Sequence, residues 1–217
     1  MKIKTKRYFG FSAGLLIGFI LLTIALSFVD IQPIGPNGSS VGFATINAFI
    51  HNLTGINFKI YIITDWLGLV PVVMCLSFGL LGLIQLITRK KLLKVDNDIL
   101  ILGLYYIVVI VVYVLFEKIV INYRPVLIDG FLEVSYPSST TLLVMTIMPT
   151  TNIQLNSRIK NYRIKKYIKV LITVFVIFMV VGRLISGVHW FTDIIGGALL
   201  SSGLVMMYYA IIKMKAN

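Results

Sequence analysis

Six stretches of this chain are long and apolar enough to cross a lipid bilayer, and that fact narrows the possible folds more than any motif does. A spanning helix needs roughly 17–25 residues, and in hydrocarbon only helices or closed barrels satisfy every backbone polar group. The stretches are Tyr8–Val29, Leu67–Thr88, Ile99–Phe116, Thr140–Leu155, Ile168–Ile185 and Thr192–Ile212. Of the 217 residues, 58% are hydrophobic and 13% charged, which is not the balance of a soluble domain. The expected fold is therefore all-α, one integral membrane domain over residues 1–217 built as a six-transmembrane-helix bundle. The fourth stretch is short and carries Pro149, which should kink its helix or end it early. The first follows Lys2, Lys4, Lys6 and Arg7, as a signal peptide would. Its apolar run exceeds the usual 7–15 residues of a cleaved segment, so an uncleaved anchor is expected.

The positions of the charges set the orientation. The formal net charge is +12, and 16 of the 20 Lys and Arg fall in four places: the N-terminus, the loop Arg89–Asp98, the loop Asn156–Lys169 and the tail with Lys213 and Lys215. Six spans put all four on one side, which the positive-inside rule makes cytoplasmic. The other side keeps Lys59, Lys118, Arg124 and Arg183, with six of the eight carboxylates. The basic balance is thus topological, with attraction to anionic membrane lipid as its second use, and nucleic acid is not an expected partner. The single cysteine, Cys75, excludes an intrachain disulfide or a cysteine-based metal site.

The longest non-spanning segment, Asp30–Trp66, lies outside. It opens on turn-rich Pro33–Ser40, and Val41–Leu53 then reads as a short interfacial helix, either a roof over an outer site or a connector. His51 near its end reads as a solvated histidine, and Asn52-Leu53-Thr54 matches a glycosylation sequon by pattern alone.

Chemistry concentrates at three outer positions. After the third span comes Glu117-Lys118-Ile119-Val120-Ile121-Asn122-Tyr123-Arg124-Pro125; before the fourth, Tyr136-Pro137-Ser138-Ser139-Thr140-Thr141. Around the junction of the last two spans come Arg183, His189 and Asp193. Ionisable groups at membrane depth are costly and mark functional sites, although Arg183 with Asp193 also reads as a buried structural ion pair. Arg124 and Arg183 offer planar forks suited to phosphate oxygens. Ser138, Ser139 and Thr140 sit where a helix begins, so they either present N–H groups to an anion or cap that helix. Four residues separate His189 from Asp193, one face of a helix if the helix starts before Trp190. A carboxylate bonded to one imidazole nitrogen would leave the other free to attack. No cluster has metal-ligand spacing, so neither a metal nor another cofactor is expected.

These residues resemble the type 2 phosphatidic acid phosphatase superfamily, six-helix membrane phosphatases of lipid phosphates. The family's third motif is matched at Arg183, His189 and Asp193, with Gly182 in place of its serine. Its first survives as Arg124-Pro125 and its second as Pro137-Ser138, all within residues 117–197. The resemblance implies His189 as nucleophile, Asp193 as its orienting partner, and phosphate binding by Arg124, Arg183 and Ser138, with Ser139 and Lys118 as further candidates. It implies hydrolysis of a lipid phosphate or isoprenoid diphosphate through a phosphohistidine. The expected location is a bacterial plasma membrane, with both termini cytoplasmic and the site on the outer face.

Two departures stand out. The family's first-motif lysine falls on Glu117, while Lys118 is one residue later, about 100° round a helix. The second-motif histidine, the family's proton donor to the leaving group, is Thr140. A threonine hydroxyl is no acid near neutral pH, and general acid catalysis is worth about 10²–10⁴-fold. A diphosphate substrate, whose phosphate leaving group needs little protonation, would compensate; so would a proton from Glu117, Asp129 or Glu133. The remaining alternative is a catalytically impaired protein that binds phospholipid head groups.

Overall fold

The computed structural model describes residues 3–215, and among them eight α-helices make up the architecture. They are α1 (Ile3–Leu26), α2 (Ala44–Thr54), α3 (Phe58–Leu67), α4 (Leu69–Arg89), α5 (Asn97–Lys118), α6 (Ser139–Arg158), α7 (Tyr162–Ile185) and α8 (Phe191–Lys215). Five segments are long and apolar enough to span a membrane: α1, the pair α3–α4 taken together, α5, α7 and α8. The protein is an integral membrane protein.

The second span begins earlier than its hydropathy suggests. The segment 58–66, assigned from sequence to the outer loop, is helical within α3, which runs almost directly into α4. The break between them has a local cause: Pro71 lacks an N–H, and its ring would clash with the carbonyl four residues back, that of Leu67.

α6 departs from the expectation differently. It passes through Pro149 and continues to Arg158, yet it is the least apolar of the long helices. Its position explains both facts: α6 packs against α4, α5, α7 and α8, and Thr141, Thr146, Thr150, Thr151 and Gln154 are all buried. Thr146 and Thr150 donate to carbonyls one turn back, at 2.7 Å to Leu142 and 2.9 Å to Thr146. A helix enclosed by protein needs no continuous lipid-facing surface, and its neighbours hold it through a proline.

α8 lies on the other side of this core, against α1 and α6. Small residues allow the close approach: Ser12 of α1 donates to the Gly203 carbonyl at 2.8 Å, and Ser201 lies 3.3 Å from the Leu142 carbonyl of α6. At Gly196 a Cβ would fall 2.4 Å from the Tyr136 ring, so only glycine admits that aromatic against the helix. Tyr136 in turn bonds Thr23 of α1 at 2.8 Å.

At the end of the bundle where α5 and α7 finish and α6 and α8 begin, three connections converge. The first is a hairpin, Asn122–Ser135, paired through Tyr123 and Val134. It turns at Asp129-Gly130, both with positive φ (50° and 82°), the signature of a two-residue primed turn. The second is the α7–α8 loop, where Gly187 (φ +66°) lies so close to Gly55 that an added Cβ would sit 1.9 Å from the Gly55 carbonyl oxygen. The third is α2, a helix as expected but docked on α8 rather than free at the interface. Asn47 of α2 is fully buried, accepts from the Thr192 backbone N–H at 3.1 Å and donates to the Thr192 hydroxyl at 3.0 Å. It thereby caps the start of α8 from another helix. His51 is not a solvated loop histidine: it lies half-buried in α2, its ring 5.5 Å from that of Trp190.

Loss of an N-cap acceptor costs about 0.5–2 kcal/mol. Asn47→Ala is therefore expected to lower the melting temperature of the detergent-solubilised protein, whereas Asn47→Asp, which keeps the acceptor, loses less.

Candidate active site

His189 occupies the turn before α8, one residue ahead of Trp190, so no helix face places it over Asp193. The turn does this instead. Asp193, in the first turn of α8, reaches back to accept the Trp190 backbone N–H at 2.8 Å, the carboxylate half of a capping box. That leaves the same oxygen, Oδ2, 3.6 Å from His189 Nδ1, beyond a good hydrogen bond. The gap is closed by Ser135, the last residue of the hairpin. Its hydroxyl lies 3.1 Å from His189 Nδ1 and donates to Asp193 Oδ2 in a very short hydrogen bond. A hydroxyl that donates to the carboxylate has its lone pairs free to accept Nδ1–H. The order is therefore imidazole to serine to aspartate.

The opposite nitrogen faces the two arginines. His189 Nε2 is 3.2 Å from Arg124 Nη1 and 3.3 Å from Arg183 Nη2. Guanidinium nitrogens only donate, so Nε2 presents its lone pair and the proton resides on Nδ1. Burial, then Arg124 and Arg183, hold the imidazole well below its ordinary pKa of 6.5, which keeps the ring neutral at physiological pH. His189 is 3% exposed, Arg183 1% and Arg124 8%, so desolvation acts on all three together.

Each arginine is held by its own partners. Arg124 follows the first residues of the hairpin; its Nε pairs with Glu133 across the ribbon at 2.9 Å, and its backbone N–H bonds the Glu133 carbonyl at 3.0 Å. Arg183, near the end of α7, lies under α3: Nη1 is 3.4 Å from the Thr64 hydroxyl and 3.6 Å from Asp65, with the guanidinium 4.9 Å from the Tyr61 ring centroid. Its ion-pair partner is thus Asp65, not Asp193. Trp190 joins the loop to the hairpin by donating from Nε1 to the Tyr123 carbonyl at 2.8 Å.

Of the residues singled out from sequence, Arg124, Arg183, His189 and Asp193 meet. Ser138 lies against them but serves the backbone: it caps α6 through Thr141 N–H at 3.4 Å, and its own N–H bonds the Asp193 carbonyl at 3.0 Å. Ser139 and Thr140 are half-buried at the start of α6, and among the described residues no side-chain bond ties them to the cluster. Ser139 and Glu117 line a narrow crevice beside Ser135 and Tyr136. Lys118 ends α5 exposed and helical, with no bond to the arginines or the imidazole among the described residues. Asp129 is at the hairpin tip, while Glu133 touches Arg124. Ser135, Asn47, Thr64 and Asp65 were not anticipated. The Asp129-Gly130 pair is the one local signal that could have revealed the hairpin delivering Ser135; the others have no local signal, since their partners lie more than 100 residues away in sequence.

A model of the PAP2 superfamily matches residues 98–216, more than half of the chain. The chain belongs to the PAP2 superfamily. The PAP2 match covers the hairpin, α6, α7 and α8, hence Arg124, Ser135, Arg183, His189 and Asp193. It begins beyond α3, so Asp65 and Thr64, which hold Arg183, and Asn47, which caps α8, lie outside it. Among solved structures, the chain resembles the first transmembrane PAP2 type phosphatidylglycerolphosphate phosphatase from Bacillus subtilis. The TM-score is 0.55 at 18% identity, over 94% of this chain and 96% of that one, a likeness of fold. Comparison with curated proteins gives no match.

The chain has two histidines, so a His51→Gln background isolates His189 for ¹⁵N NMR. The Nδ1–H tautomer is expected there. Ser135→Ala, which leaves a buried donor without its acceptor at a cost of about 1–3 kcal/mol, should mix the tautomers; an unchanged spectrum would show that the serine does not hold the ring.

Proposed function

We propose that this PAP2 protein is a membrane phosphatase that hydrolyses a lipid phosphate or isoprenoid diphosphate at the outer leaflet through a phosphohistidine on His189. One observation carries the reading: two guanidinium groups converge on the lone pair of an imidazole nitrogen whose other nitrogen is tied, through Ser135, to a buried carboxylate. The description of the Bacillus subtilis neighbour as a phosphatidylglycerolphosphate phosphatase supports the substrate class. In this reading α6 is the sixth span, its polar positions covered by neighbouring helices, and both termini face the cytoplasm.

The steps follow from the donors and acceptors. The phosphoryl group enters beside Nε2, and its oxygens take over the guanidinium N–H groups now directed at that nitrogen. Nε2 gives its lone pair to phosphorus, and the bond from phosphorus to the leaving oxygen breaks with its electron pair going to that oxygen. The imidazole, still carrying its Nδ1 proton, becomes positive, a charge that Asp193 offsets through the Ser135 hydroxyl. Water then attacks phosphorus, the N–P bond breaks, and inorganic phosphate leaves. Preorganised donors around the equatorial oxygens are the main contribution a protein makes to such transfers. No metal is required for this sequence of steps.

Leaving-group protonation favours a diphosphate among the substrates. Thr140 supplies no acid, and Glu133, the outer carboxylate in contact with Arg124, is engaged in an ion pair. When the terminal phosphoryl of a diphosphate is transferred, the departing group is itself a phosphate and needs little help.

Purified protein given isoprenyl diphosphate is expected to release phosphate without added metal, and His189→Ala to abolish release; persisting activity in that variant would sink the assignment. An impaired head-group binder would show no turnover of any lipid phosphate, yet saturable binding weakened by Arg124→Ala. Thr140→His is expected to accelerate monoester cleavage by up to about 10²–10⁴-fold, and diphosphate cleavage far less. The pH dependence has a definite sign. Neutral His189 is the reactive form and its pKa is lowered in the folded protein, so kcat/KM should stay level as pH falls through 6.5 and decline only below it.

A further inference from the structure

α7 carries two separate chemical features at its two ends. One end holds Arg183 and the loop to His189; the other opens onto a cavity of about 610 Å³ between α6 and α7. The twenty helical steps from Lys165 to Ile185 put about 30 Å between them, roughly the hydrocarbon thickness of a bilayer. Lys165, Lys166 and Lys169 line this second cavity from α7, and Asn152 and Asn156 line it from α6. Below them the wall becomes apolar at Val170 and Val174, which are 51% and 59% exposed.

Among the described residues these charges have no counter-ion. The two acidic side chains at this end among the described residues are taken by arginines, Asp96 by Arg89 at 2.7 Å and Asp98 by Arg158 at 2.8 Å. Among the described residues no ion pair engages Lys165, Lys166 or Lys169. Lys165 and Lys169 are four apart, so their like charges face each other along the helix, an arrangement that is destabilising until an anion lies between them. Asn152 and Asn156, also four apart, present amide donors and acceptors across the groove.

We infer that this groove binds the head group of an anionic glycerophospholipid of the cytoplasmic leaflet. The phosphate sits among the three lysines and the two asparagine amides, and the acyl chains descend along Val170 and Val174. Basic pockets between spanning helices on the cytoplasmic side are suited to such head groups, and the apolar continuation distinguishes a lipid from a free anion. The inference rests on the orientation of the bundle and not on the chemistry at His189.

The test uses the full chain, delipidated in detergent and titrated with phosphatidylglycerol or phosphatidylcholine of the same acyl chains, with bound lipid read by native mass spectrometry. A triple variant, Lys165→Gln, Lys166→Gln and Lys169→Gln, is compared with a control that removes equal charge from the neighbouring loop, Lys90→Gln, Lys91→Gln and Lys94→Gln. Each lysine near an anionic head group changes affinity by about fivefold, so the groove variant should bind phosphatidylglycerol at least about tenfold more weakly while the control binds as the parent does. Phosphatidylcholine should bind weakly throughout, and glycerol phosphate at equal concentration should not displace the lipid. Equal weakening in both variants, displacement by glycerol phosphate, or no preference for the anionic lipid would each overturn the inference. Phosphate release from isoprenyl diphosphate is expected to be the same in both variants, so a failure here is distinct from a failure of the phosphatase reading.

Discussion

Two guanidinium groups share one buried space with an imidazole, and much of the architecture at that end of the bundle serves to make this tolerable. Both guanidinium groups contact the same imidazole nitrogen, at 3.2 and 3.3 Å, so two like charges are held close together with little water between them. The repulsion is answered from different parts of the chain. Asp65 from α3 pairs with Arg183, Glu133 from the hairpin pairs with Arg124, and the Tyr61 ring lies against the Arg183 guanidinium. Both carboxylates are partly exposed, at 59% and 43% of their side-chain surface, so they face the solvent side of the pair. The histidine contributes by remaining neutral.

The start of α8 is the second fixed point. Its first turn is held from within by Asp193 on the Trp190 N–H and from outside by Asn47 on the Thr192 N–H. The Asp193 carbonyl then accepts the Ser138 N–H, which sets the start of α6 beside it. The geometry of the His189 cluster and helix capping thus use the same atoms. Asp193 Oδ2 receives the Trp190 N–H and the Ser135 hydroxyl together, so the orientation of the imidazole depends on how α8 begins.

The bundle was legible in the sequence because hydropathy alone reports a spanning helix, and the motif residues Arg124, Arg183, His189 and Asp193 were legible because they sit close together in the last 100 positions. What was hidden has two physical origins. Polar residues in α6 dilute its hydropathy because its neighbours, not lipid, surround it, and Pro149 is tolerated for the same reason. The supports of the site come from far away in the chain: Thr64 and Asp65 reach Arg183, and Asn47 reaches Thr192, through tertiary packing that leaves no local pattern. Ser135 falls between these cases. Its neighbourhood was marked as motif, but the spacing suggested a direct pairing of His189 with Asp193, and only the 3.6 Å gap reveals the place of a hydroxyl.

The Asn122–Ser135 ribbon has a mechanical corollary. Arg124 leaves its first strand and Ser135 closes its second, and the backbone bonds from Arg124 to Glu133 and from Ser135 to Asn122 keep the two in register. A rigid tilt of this two-stranded lever would therefore carry the Arg124 guanidinium and the Ser135 hydroxyl in concert, both of them in contact with the His189 ring. The two contacts to the imidazole, one on each ring nitrogen, thus sit on a single backbone unit.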